Sequence, residues 1–254
     1  MTLKDIYFFR FFINSEFIRN RYKINDFNFK NNQKGGYNII YKNNKIIFDE
    51  EYENDIMILS FKSINKKSDC IVLLYDKKEK IINIERLDLT NKCINNYNSG
   101  KDLMNIIIKV IYKYKKTLGL KEIYLSDHSY ILCDGIYIWL SNLSLLQYGK
   151  TFYGRYGFVP VNEDDKMKLN KNIIRLNKTR IKYIKNILIK LNLSNYLTNY
   201  LKTNNNENFM DFMKYISRRL FDEKKCKILN KLIDECFFKL KLFQMNNKQY
   251  YIKL

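Results

Sequence analysis

Three short apolar runs stand one after another in the first half of the chain: IMILSFK at 56–62, CIVLLYD at 70–76 and IINIERLDL at 81–89. Each is too short and too β-branched for a helix, and Asp76-Lys77-Lys78-Glu79-Lys80 is a compact polar connection between the last two. They predict an antiparallel meander whose central strand, Cys70 to Tyr75, is apolar enough to be buried on both faces. At Ser99-Gly100-Lys101-Asp102 the period changes. Leu103, Ile106, Ile107, Val110, Ile111 and Tyr114 then recur at helical spacing until Gly119, and Lys121–Ser126 reads as a further strand. Strands, helix and strand in that order predict an α+β fold, a mixed sheet flanked by helices.

The remaining segments extend this pattern. The opening MTLKDIYFFRFFINSEFIRNRYK, at 1–23, holds an apolar cluster interrupted by Lys4, Asp5, Arg10, Glu16 and Arg19 and reads as a buried helix, not a signal peptide. Gly35-Gly36 and Asn43-Asn44 are turn signals between short strands, and Asp134-Gly135 reads as the turn of a hairpin. A short helix is expected over Asn142–Tyr156, followed by a strand at Gly157–Val161. Beyond Asn162 the composition changes to amphipathic helices broken by a polar stretch near Lys202–Glu207. Residues 161–254 carry 21 Lys+Arg against 9 Asp+Glu, where the first 160 carry 25 against 17. The division predicted from composition is therefore a domain at 1–161 and a basic helical extension at 162–254. Within the extension, Ile174, Ile181, Ile184, Leu188 and Leu191 are expected on one buried helical face with Arg175, Lys178, Lys182 and Lys185 opposite.

Hydrophobic residues at 46% and aromatics at 15% place the chain far from disorder. The net charge of +20 would favour an anionic partner, yet the lysines are scattered and no nucleic-acid motif accompanies them. Five cysteines, odd in number and without CxxC spacing, support neither a disulfide framework nor a zinc site and point to a reducing, cytoplasmic setting. No run of 18 residues is free of charge, so no membrane span is expected.

The most specific segment is Tyr153-Gly154-Arg155-Tyr156-Gly157-Phe158. With the element order before it, from meander to Gly-containing loop, helix and strand, it resembles the GNAT superfamily of N-acetyltransferases over about 110 to 120 residues. In texture it is similar to GNAT-like proteins of large AT-rich DNA viruses, which would place it in host cytoplasm or in a virion. The resemblance implies two neighbouring parallel strands that splay apart, with acetyl-CoA between them and its pyrophosphate at a helix N-terminus, where amide groups and the helix dipole favour anions. It assigns the cofactor to Asn98, Ser99, Gly100, Lys101 and Arg155. Tyr153 becomes the acid for the leaving thiolate, and Asp127 the base that deprotonates an amine on a small molecule or a protein. No metal is implied.

Two departures stand beside this. With Gly100 as the first glycine of the phosphate loop, Tyr97 replaces the usual Gln or Arg and Asp102 the second Gly, setting a carboxylate beside a pyrophosphate unless Lys101 or another cation compensates. With Gly100 as the second glycine, Asn95 and Asn98 fill the other two places, a less damaging frame because Asn tolerates the left-handed turn. Packing also accounts for Tyr153 in a chain with 21 tyrosines, and turn formation accounts for Asp127-His128-Ser129. Two functions follow as expectations: direct acetyl transfer to an amine, or a catalytically inactive GNAT-like module whose basic helical tail binds a protein or nucleic-acid partner.

Overall fold

The computed structural model describes residues 8–12, 33–63, 69–88, 93, 100–204 and 207–254. These divide into two compact units, one of Phe8–Ser129 with Gln249–Leu254 and one of Tyr130–Lys248.

The first, the sheet unit, contains the meander. Strands β1 (Phe8–Phe12), β2 (Gln33–Tyr41), β3 (Asn44–Glu53), β4 (Ile56–Lys62), β5 (Asp69–Asp76) and β6 (Ile81–Asp88) precede helix α1 (Gly100–Leu118) and strand β7 (Glu122–Ser126). Strands β2 to β6 pair antiparallel in chain order. β5 is buried along nearly its whole length, as a strand apolar on both faces must be. Helix α1 turns Leu103, Ile106, Ile107, Val110 and Ile111 into the core and ends at Gly119, whose φ of 63° is left-handed. The crossover makes β7 parallel to β6 through Ile81↔Glu122 to Ile84↔Leu125. The mixed sheet and flanking helices agree with the predicted α+β class.

Three local expectations are corrected here. The opening segment is strand, not helix, over Phe8–Phe12: it pairs antiparallel with β6 through Phe12↔Arg86 and Arg10↔Asp88. Aromatic residues suit a pleated strand, and the β6 edge offers hydrogen-bonding partners that a helix could not use. Gly35-Gly36 lies inside β2, at a register shift between Gln33 and Tyr37, and the turn is made by Lys42 and Asn43 at φ 46° and 63°. The last residues leave the basic extension, since β11 (Gln249–Lys253), numbered in chain order, pairs antiparallel with β7.

The helical unit opens with the hairpin β8 (Ser129–Cys133) and β9 (Ile136–Trp139), which turns as predicted at Asp134-Gly135, both at positive φ. Helix α2 (Leu140–Tyr148) stops at left-handed Gly149, short of the predicted Tyr156; a 3-10 turn at Tyr153–Tyr156 and strand β10 (Val159–Pro160) follow. Then come α3 (Glu163–Lys178), α4 (Lys185–Lys190), α5 (Ser194–Thr203), α6 (Phe209–Asp222) and α7 (Cys226–Lys239). The single amphipathic helix expected over 172–191 is broken. Thr179 bonds back to the Arg175 carbonyl at 2.8 Å and Arg180 is extended, bridged to Asn208. The break resets the helical phase, so Ile174 is 56% exposed while Asn172 and Leu176 are buried. Asn172 earns its burial: its side chain donates to the Phe243 carbonyl at 2.7 Å and accepts from the Phe243 amide at 2.9 Å. The division in space at Tyr130 thus differs from the change of composition at 161, because the hairpin and α2 pack with the later helices: α2 against α6 and α7, and β9 against α7.

Cysteine spacing supported no disulfide framework, yet the structure joins Cys70 to Cys93 in the sheet unit and Cys133 to Cys226 in the helical unit. Partners 23 and 93 residues apart leave no local signal in a sequence. Cys236 is a free thiol, fully buried, and burial raises its pKa. Alkylation under denaturing, non-reducing conditions should therefore add one group per chain by intact mass and, after reduction, five; five before reduction would contradict the pairing.

Candidate functional site

Gly119, at the far end of α1, approaches the Lys80 side chain at the start of β6. The helix thus runs back along the parallel pair and places its N-terminus at the carboxyl ends of β6 and β7, the edge where α/β sheets collect ligands. Gly100 is the first helical residue and is buried, and Lys101 is exposed. Asn98 and Ser99 lie outside the described residues.

Asp102, in the first turn, is 8% exposed. The Tyr41 hydroxyl donates to its carboxylate at 2.7 Å and the Lys42 ammonium at 2.8 Å. Asn105, one turn on, donates to the Tyr41 hydroxyl at 3.3 Å. Lys42 and Lys109 lie over the Tyr41 ring, 5.4 and 5.3 Å from its centroid. Burial raises the Tyr41 pKa, with Asp102 adding to the rise, so the hydroxyl stays a donor. The cation that compensates Asp102 is therefore Lys42, from the β2–β3 turn, a residue that sequence reasoning passed over because 60 positions separate the two.

A second residue escaped the sequence reading. Between Val72↔Arg86 and Leu73↔Ile84 the β5–β6 register slips, leaving Glu85 as the extra residue of a bulge. Glu85 is only 8% exposed and stands where β6 leaves β7 for β1. Asn83, Arg86 and Asp88 share the strand with it, so no local signal set Glu85 apart.

Asp127, just past β7, is fully buried and accepts from the amide and hydroxyl of Ser129 at 3.0 and 2.5 Å. That geometry is an Asx turn, the turn chemistry weighed for Asp127-His128-Ser129. Tyr153 and Arg155 belong to the helical unit, whereas Gly100, Lys101 and Asp127 belong to the sheet unit. Tyr153 is fully buried among the rings of Phe152 and Phe158, at 5.2 and 6.3 Å. The Arg155 guanidinium sits over the Tyr148 ring, 4.1 Å from its centroid. Gly157 takes φ 92°, open to glycine and strained for other residues, and Phe158 is 1% exposed.

No family model, no curated protein and no solved structure matches this chain.

Proposed function

We propose that the chain is a GNAT-like module without acetyl transfer, which binds an anionic partner through its helical unit. The observation that carries this reading is the pairing of Asp102 with Lys42 and Tyr41. The first turn of α1 already holds an anion of its own: the carboxylate complements the helix dipole, and the nearest cation is committed to it. A CoA pyrophosphate brought to the same turn would face that carboxylate. The β6 edge freed beyond Ile84, where a splayed pair would receive the acyl group, is taken by β1. Tyr153, Arg155, Gly157 and Phe158, the residues of the family-like segment, are each engaged in packing or in turn geometry. The larger share of the net positive charge lies in Tyr130–Lys248, with 22 Lys+Arg against 10 Asp+Glu, where the rest of the chain has 24 against 16.

Calorimetric titration of the full chain with acetyl-CoA should give no saturable heat up to millimolar ligand, and no thiol should be released in the presence of polyamine or peptide amines. Micromolar binding with thiol release would replace this reading by acetyl transfer. Acetyl transfer is itself favoured by one observation, Glu85, a buried carboxylate on a bulge at the end of the parallel pair. If Glu85 is a base, any thiol release seen should fall by about 100-fold in Glu85→Gln.

A further inference from the structure

We infer that the groove between α5 and α6 is a nucleotide-binding site, in which tyrosine rings receive a base and Arg219 and Lys202 receive its phosphate. This deepens the proposed partner-binding role of the helical unit and rests on that reading. The groove encloses about 370 Å³ and is lined by Tyr196, Asn199, Lys202 and Thr203 from α5 and by Tyr215, Arg219 and Glu223 from α6 and its cap.

The spacing on the two helices explains the lining. Tyr196, Asn199 and Thr203 lie one turn apart on α5, and Tyr215, Arg219 and Glu223 one turn apart along α6, so each helix presents one row. At one end Tyr196 donates to the Glu223 carboxylate, and the rows are thereby fixed against each other. Among the described residues lining the groove Glu223 is the one acid, and its charge is already met. Lys225 reaches Glu223 at 2.7 Å and the Tyr196 hydroxyl at 2.9 Å, which holds the Glu223 carboxyl below its usual pKa. Lys202 forms no salt bridge among the described residues, and Arg219, without a bridge of its own, adds to the field that holds the Glu223 carboxyl down. Arg219 also lies near the Tyr215 ring, 5.7 Å from its centroid.

Two ring systems, two cations and one acid neutralised mainly by Lys225 form a pocket of net positive charge with π-faces. Bases stack on aromatic rings whatever their sequence, and phosphates pair with Arg and Lys. Asn199 adds an amide for a base edge or a sugar hydroxyl. The same chemistry serves a free nucleotide or one residue of a single strand, and the unit's excess of cations would track a strand beyond the groove.

The test is fluorescence anisotropy of the full chain with a labelled single-stranded oligonucleotide of mixed sequence, with ATP and polyglutamate as competitors, at several salt concentrations. The Arg219→Glu/Lys202→Glu double variant should weaken binding by at least about tenfold and lower the salt slope by about 2. Tyr215→Ala should weaken it about tenfold and Tyr215→Phe hardly at all, because stacking needs the ring and not the hydroxyl. Lys239→Glu, equally basic but on α7, should change it less than twofold. Competition by ATP at its own concentration would assign the groove to free nucleotides; a much tighter strand would assign it to single-stranded nucleic acid. No binding, equal loss in Lys239→Glu, or equal competition by polyglutamate would overturn the site. These failures are separable from that of the underlying reading, whose claim of no acetyl transfer falls if acetyl-CoA binds and is turned over, whatever the groove does.

Discussion

Tyr153→Ala is expected to lower the unfolding free energy by about 4 kcal/mol, while Tyr153→Phe changes it by about 1 kcal/mol or less. The ring is fully buried between Phe152 and Phe158, in the turn that Gly157 closes. Truncation removes a whole aromatic and leaves a cavity that neighbours fixed by a 3-10 turn cannot refill. Loss of the hydroxyl alone keeps the ring contacts. Urea unfolding of the two variants checks this. The roles separate on function in Tyr153→Phe alone: a packing tyrosine keeps function there, whereas a proton donor would lose it.

Asp102→Ala is expected to destabilise the chain by about 2 kcal/mol. Breaking a buried ion pair costs about 3–5 kcal/mol when the stranded partner stays buried. Here the Lys42 side chain is 40% exposed against 11% for Asp102, so the ammonium can return to water and the cost is discounted. Tyr41 loses its acceptor, worth about 1 kcal/mol, and the helix loses a favourable charge in its first turn. Asp102→Asn keeps an acceptor for Tyr41 and should cost about half as much. A change below about 0.5 kcal/mol in Asp102→Ala would mean that Lys42 and Tyr41 do not hold the carboxylate.

The elements legible in the sequence are those whose signal is local. The meander from Ile56 to Asp88, helix α1 with its closing Gly119, and the Asp134-Gly135 turn all declare themselves by period or by left-handed residues. What escaped was set at a distance. Phe8–Phe12 is strand because β6 has a free edge beyond Ile84, and nothing near Phe8 records that edge. The phase of 172–191 was read as continuous because Thr179, which ends α3, is an unremarkable residue in a helical pattern. The candidate site was legible only in part. Gly100 and Asp102 stood out by position, but the partner of Asp102 comes from a hairpin turn 60 residues earlier, and Glu85 acquires its place from a bulge. The α5–α6 groove was invisible to the sequence reading, since Tyr196 and Glu223 meet only when the helices pair.

The closed first turn of α1 is most directly tested by adding acetyl-CoA to isotope-labelled protein and following the backbone amide resonances of Gly100, Lys101 and Asp102. They are expected to stay in place up to millimolar ligand, because Asp102 and Lys42 already satisfy the charge of that turn. Saturable shifts of those amides at micromolar acetyl-CoA, abolished in Gly100→Glu, would contradict it and make the N-terminus of α1 a working pyrophosphate site.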